Sequence, residues 1–225
     1  CLSFKDSVSM QAMTVLRYIV LVAFVASLGL LTIQALGTLR FGRRRLYSEP
    51  RGSRWKGVAY AFGRGMMPWE KESAARHLPT YVAGMSYHAG IFSAIFCALS
   101  LAASVRLGPA LVLVLQVLMS AGFLAGTGLL VKRTIKPEIR HISCPDDYAA
   151  NLIADIFIRC GLLAVRFEAL RIVFLSAAAV TFLYMPLGKI RHCFFFFYSR
   201  FLFGSYFGRR DVLPRRRPVK AEARP

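Results

Sequence analysis

Five stretches of this chain run for roughly 18–25 residues with almost no charge, and about 20 apolar residues are what an α-helix needs to cross a bilayer core. Hydrocarbon offers no water to satisfy backbone N–H and C=O groups, so such segments must be helices that bond internally. The apolar runs occupy 13–36, 81–105, 109–131, 148–165 and 170–187. The first carries only Arg17, and the second and third are separated by a tight Arg106-Leu107-Gly108 turn. The fourth holds Asp155 and Arg159, and the fifth comes after the short link 166–169. The fold class expected is therefore all-α: a polytopic membrane protein with a bundle of five transmembrane helices.

Thirty Lys and Arg against 11 Asp and Glu give a formal charge of +19, which sits oddly with a mean hydropathy of +0.49 until the charges are located. They fall almost entirely between the apolar runs. Ten cations lie in 37–79, four in 132–147 and ten from Lys189 onward, against Lys5, Arg17, Arg106, Arg166 and Arg171 near the other ends. The three basic segments share one side of a five-span chain, so the positive-inside rule places the N-terminus outside and the C-terminus in the cytoplasm. With its basic residues held in membrane loops the chain does not read as a nucleic-acid binder. No polar stretch is long enough to fold as a soluble catalytic domain. Residues 1–210 are expected to form one membrane domain and 211–225 a basic cytoplasmic tail.

Trp55, Tyr60, Phe62, Met66, Met67 and Trp69 are interleaved with the cations of the first loop, as in a segment lying on the membrane face. The aromatic run 193–207 has Arg200 as its only charge and is too short for a further span, so an interfacial helix is expected there. Pro145, Asp146 and Asp147 read as the start of a helix, because proline suits the first turn and carboxylates oppose the positive dipole end. Asp155 and Arg159, four apart, read as a mutual ion pair within the membrane. The five scattered cysteines form no CxxC or CxxCH motif, and no nucleotide or zinc-protease motif is present. No internal repeat of the kind that marks secondary transporters is found.

The histidines carry the remaining chemistry. His77 and His141 fall in cytoplasmic connections, His88 in the second span and His192 at the inner end of the fifth. His88 lies about 10 Å from the cytoplasmic end at a rise of 1.5 Å per residue, so both intramembrane imidazoles belong to one leaflet. Two neutral imidazoles on different helices are the ligand set of a bis-histidine haem b. Gly84, Ala89 and Gly90 around His88 leave room for a flat macrocycle, or else merely allow helix packing. On the residues by themselves, haem ligation and structural histidines both stand.

The runs YHAGIF (87–92), KPEIRHISCPDDY (136–148) and YMPLGKIRH (184–192) resemble the gamma-subunit family of respiratory nitrate reductase. They are closer to its relatives, the membrane cytochromes of heterodisulfide reductase and of sulfite-reduction-linked complexes. The likeness extends over roughly residues 10–210 and includes the aromatic segment after His192.

The resemblance implies a b-type cytochrome subunit in a prokaryotic plasma membrane. Such a subunit passes electrons between the quinone pool and a cytoplasmic iron–sulfur partner, and is no complete enzyme by itself. That family holds two haems b. The cytoplasmic-side pair of ligands falls on His88 and His192, with Gly84 beside the macrocycle and Arg191, with Lys189, facing the propionates. The ligands of the other haem fall on Ala98 and Phe174, neither of which binds iron, so one haem is expected. His77, Arg76 and Tyr87 at the inner mouth of the second span are the candidate quinone site. A haem-free membrane anchor recruiting a cytoplasmic redox subunit is the alternative.

Overall fold

The computed structural model describes residues 2–41 and 49–214. Residues 42–48 with their arginine run, and 215–225 of the basic tail, lie outside the described residues. In chain order the helices are α1 (Leu2–Gly37), α2 (Arg54–Phe62), α3 (Glu72–Arg76), α4 (Leu78–Ala102), α5 (Pro109–Ile135), α6 (Pro137–His141), α7 (Pro145–Arg166), α8 (Arg171–Tyr184) and α9 (His192–Arg210), with short 3₁₀ turns between them. No strand occurs among the described residues. Four helices (α1 from Met10, α4, α5 and α7) are each long and apolar enough to cross a membrane. Their outward side chains, such as Val22, Val25, Ile33, Leu113, Val117 and Leu124, are exposed, and an exterior of this kind suits lipid rather than water.

Expected and observed spans agree at α1, α5 and α7. Helix α4 stops at Ala102, short of the expected 105, where Ser104 turns the chain in the left-handed region with φ 60°. Pro145 opens α7 as expected. The Cys144 backbone N–H donates to the Asp147 carboxylate at 2.9 Å, which fixes the first turn.

The fifth span differs from expectation. Helix α8 ends at Tyr184 rather than 187, and it meets the length test only jointly with α9, from which it is bent by 76°. The cause is Pro186. A helix continuing through it would need its N–H to bond the Phe182 carbonyl, and proline has none. Helix α1 supplies the missing donor: Ser27 Oγ donates to Phe182 O at 2.7 Å in a fully buried contact. Gln34 Nε2 donates to the Pro186 carbonyl at 3.0 Å, one α1 face thus satisfying both sides of the break.

Between helices in lipid there is no hydrophobic drive like that in water, so close packing and interhelical hydrogen bonds hold the bundle. Gly90 of α4 and Gly122 of α5 meet backbone to backbone; a Cβ on Gly90 would stand 2.7 Å from Gly122 Cα. In the centre, Ala154, Phe157, Ile158, Gly161 and Ala164 form one stripe on α7, at the spacing of a helix face. Phe174, Leu175, Ala178 and Phe182 of α8 pack against that core, with Phe157 and Phe174 stacked at 5.5 Å.

The first loop is more organised than a surface-lying segment. Helix α2 packs along α9 at a glycine seam: a Cβ on Gly57 would clash with the Gly204 carbonyl and lie 2.5 Å from Gly208 Cα. Backbone N–H groups of Arg51 and Gly52 donate to Arg209 O at 3.0 and 2.9 Å. Arg200 reaches back to Gly65 O at 3.2 Å, and Phe62 stacks on Phe197 at 6.2 Å. Helix α9 is therefore half of a helix pair, set nearly across the direction of α8. Replacing Gly204 by Leu should separate that pair, at an overpacking cost of about 1–3 kcal/mol. A lowered Tm with faster hydrogen exchange in both α2 and α9 is the expected result, and Gly29→Leu, whose Cβ would meet nothing within 4 Å, should leave both unchanged.

Candidate functional site

His88 sits ten residues into α4, and His192 begins α9 directly after the Lys189–Arg191 turn. The fold brings these two imidazoles together: their ring centroids are 6.0 Å apart and the ring planes cross at 84°. Each Nδ1 lies 2.7 Å from a backbone carbonyl of its own turn, Gly84 O for His88 and Lys189 O for His192. A carbonyl can only accept, so each Nδ1 is the donor and each Nε2 lies outside these bonds. Metal-binding imidazoles commonly tie their second nitrogen to a carbonyl in this way, and the bond fixes the ring's orientation. The pair thus sets two imidazoles from different helices side by side.

The surroundings refine the sequence reading. Around the position a Gly84 Cβ would take, no atom lies within 4 Å, so this side of α4 is open next to His88. Gly90, in contrast, belongs to the α4–α5 seam and leaves no space for a macrocycle; for that residue helix packing is the reason. Lys189 is committed elsewhere, its Nζ donating to Asp147 Oδ2 at 2.7 Å. Arg191 is exposed and remains the cation nearest in sequence to His192. Both histidines are exposed at the side of the bundle, flanked by Phe92 at 6.5 Å from His88. Among the described residues no group of three or more His, Cys, Asp and Glu side chains is placed to hold a metal ion.

The candidate quinone residues do not converge. His77 and Arg76 are exposed at the start of α4, whereas Tyr87 lies about 15 Å further along at 1.5 Å per residue. The Tyr87 hydroxyl is turned away from that mouth. It donates to Asn151 O and accepts from Asn151 Nδ2, both at 3.0 Å.

That bond belongs to a buried cluster which sequence reasoning missed. Asn151 Nδ2 also donates to Asp155 Oδ2 at 3.1 Å, and Gly126 of α5 leaves the space that the carboxylate and the Tyr87 ring fill. Asp155 is buried, while Arg159 is exposed. The expected Asp155–Arg159 ion pair is thus absent among the described residues, because Asp155 faces α4 and α5 and Arg159 faces outward. The i, i+4 spacing of Asn151 and Asp155 was visible in the sequence, but nothing there said which neighbour they would meet.

Ala98 and Phe174, the positions aligned with a second ligand pair, are both buried. Phe174 rests against Gly161 and stacks on Phe157, so its place is taken by core packing. No family model matches the chain, and no curated protein or solved structure matches it either.

Removing the Asn151 donor should leave the Asp155 carboxylate without its neutral partner, at a cost of about 1–3 kcal/mol. Asn151→Leu is expected to lower the Tm of the detergent-purified protein clearly. Arg159→Gln should leave it unchanged; an equal drop there would mean that the two charges are paired after all.

Proposed function

We propose that the chain is a membrane b-type cytochrome subunit that carries electrons between the quinone pool and a cytoplasmic iron–sulfur partner, through one haem b held by His88 and His192. The observation that carries this reading is the juxtaposition of two imidazoles at 6.0 Å, each with its Nδ1 tied to a backbone carbonyl. When bound, the haem supplies reversible one-electron chemistry at its iron. The chain's own residues do the rest. His88 and His192 present Nε2 from two different helices, and the Gly84 and Lys189 carbonyls fix the orientation of the rings. Gly84 leaves the α4 surface flat beside His88, and Arg191 stands ready for a propionate.

One haem rather than two is the number supported by Ala98 and Phe174, which offer no ligating atom. The charge asymmetry supports an N-terminus outside and a C-terminus in the cytoplasm, and the 76° bend with the aromatic face of α9 supports a helix lying in the cytoplasmic interface. The resemblance in the 87–92, 136–148 and 184–192 runs supports a prokaryotic plasma membrane as its location, with quinone as its lipid-soluble partner. His77 and Arg76, at the mouth of α4, are the residues nearest a quinone entering from that face.

Purified full-length protein should show a reducible b-type absorption band at one haem per chain. His88→Ala and His192→Ala should each abolish it, while the helical content stays unchanged. Gly84→Phe, which fills the open side of α4, should lower haem content severalfold without unfolding the bundle. Two haems per chain would sink the single-haem reading. A folded protein with no chromophore after haem supplementation would leave the membrane anchor as the function. A reporter that fluoresces only when folded in the cytoplasm should be bright at the C-terminus and dark at the N-terminus.

A further inference from the structure

A cavity lies at the other end of the bundle. It measures about 710 Å³, within the roughly 300–1,000 Å³ of ordinary ligand sites. Along α4, Ser100 on its wall is twelve residues beyond His88, about 18 Å at the helical rise. Along α8, Arg171 on its rim begins the helix whose far end leads to His192. The cavity is thus separate from the histidine pair, and its chemistry is the same with or without a haem.

Its wall is unusual for a membrane bundle. Arg17 of α1, Arg106 of the α4–α5 turn and Arg171 of α8 all line it, with Glu168 the only acidic group. Glu168 is already paired with Arg171 at 2.8 Å. Two guanidinium groups therefore face the cavity uncompensated by any lining carboxylate. Arg17 sits within the apolar run of α1, where a cation is costly. Its Nε is shielded from solvent and has no hydrogen-bond partner among the described residues. A shielded donor left unsatisfied costs about 1–3 kcal/mol, more for a charged group, which points to an acceptor beyond the described residues. The wall also has an apolar part, with Leu101, Val105, Leu107, Val112 and Phe174.

We infer that this cavity binds a phosphate group carried by an amphiphile, namely the headgroup of an anionic phospholipid, whose acyl chain takes the apolar part. Guanidinium forks match phosphate oxygens in pairs, and Arg17 Nε supplies one N–H of such a fork. Arg17 and Arg106, on two different elements, carry charge that a neutral quinone or a zwitterionic lipid would leave uncompensated. Bound there, the lipid joins α1 and the α4–α5 turn through one charge.

The test uses the full chain in non-ionic detergent and counts retained lipid by native mass spectrometry, with Tm read in parallel. Phosphatidylglycerol should be retained at one molecule per chain and raise the Tm, whereas phosphatidylcholine should do neither. Arg17→Gln and Arg106→Gln should each lower retention about tenfold or more, as expected for a lost charge-assisted hydrogen bond. Arg159→Gln, which removes the same charge from an exposed site off the cavity wall, should retain lipid as the parent does. Inorganic phosphate is the arm that separates the sources. Displacement of the lipid by phosphate identifies the headgroup as the recognised part; stabilisation by phosphate with no lipid retained keeps the phosphate site and assigns it a soluble ligand. Equal retention of phosphatidylcholine, or equal loss in Arg159→Gln and the two cavity variants, would overturn the proposal. Should Arg17→Gln fail to fold, Arg106→Gln on the exposed turn decides by itself.

Discussion

The break in α8 at Pro186 is the joint on which the rest of the structure depends. A proline in a helix through lipid strands the carbonyl four residues back, and in hydrocarbon that carbonyl has no water to turn to. Here α1 answers it from the side: Ser27 donates to Phe182 O and Gln34 to Pro186 O. The polar residues of α1 are thus not stray tolerances in an apolar span. They satisfy the end of α8 and hold it in register. From there the chain turns through 76°, and His192 starts the next helix facing His88. Tyr184 with Asp146, and Lys189 with Asp147, tie the same joint to the first turn of α7.

A second layer of order rests on glycine. Where helices must touch without a hydrophobic drive, small residues let the backbones approach and every dispersion contact counts. Gly90 and Gly122 do this inside the bundle, and Gly57, Gly204 and Gly208 do it between α2 and α9. The two seams have opposite consequences. The first closes the interior next to His88, so any macrocycle must lie on the Gly84 side of α4. The second turns an isolated aromatic helix into a pair, with Trp55 and Phe201 edge to face at 6.2 Å on its surface. The basic first loop and the aromatic tail, distant in sequence, thereby become one face of the molecule.

The bundle also separates its polar features by depth. The histidine pair is at the end where the basic loops gather, the Tyr87–Asn151–Asp155 cluster lies further in, and the arginine-lined cavity is at the far end. Tyr87 joins the first two, since its ring is 6.4 Å from that of His88 while its hydroxyl is bonded across to α7. The stacked Phe157 and Phe174 fill the core toward the third. One end of the bundle thus carries the histidine pair and the other the arginine-lined cavity, with packed aromatics between.

Much of this was legible from composition and order. Run length fixed the spans at α1, α5 and α7, because hydrocarbon thickness and helical rise leave little freedom. Proline and paired aspartates marked the start of α7, since first-turn chemistry is local. His88 and His192 stood out as the two imidazoles of one leaflet for the same reason of arithmetic along helices. What the sequence could not decide was facing. Whether Asp155 meets Arg159 or Tyr87 depends on how α7 is rotated against α4 and α5, a matter of which small residues permit contact. Whether Gly90 opens a site or closes a seam depends on Gly122, thirty-two positions away. The distance between two imidazoles 104 residues apart depends on a bend that follows Pro186 and is braced by hydrogen bonds from α1. Local chemistry and the bilayer determined the helices; only the packing of one helix on another decided which of their residues form a site.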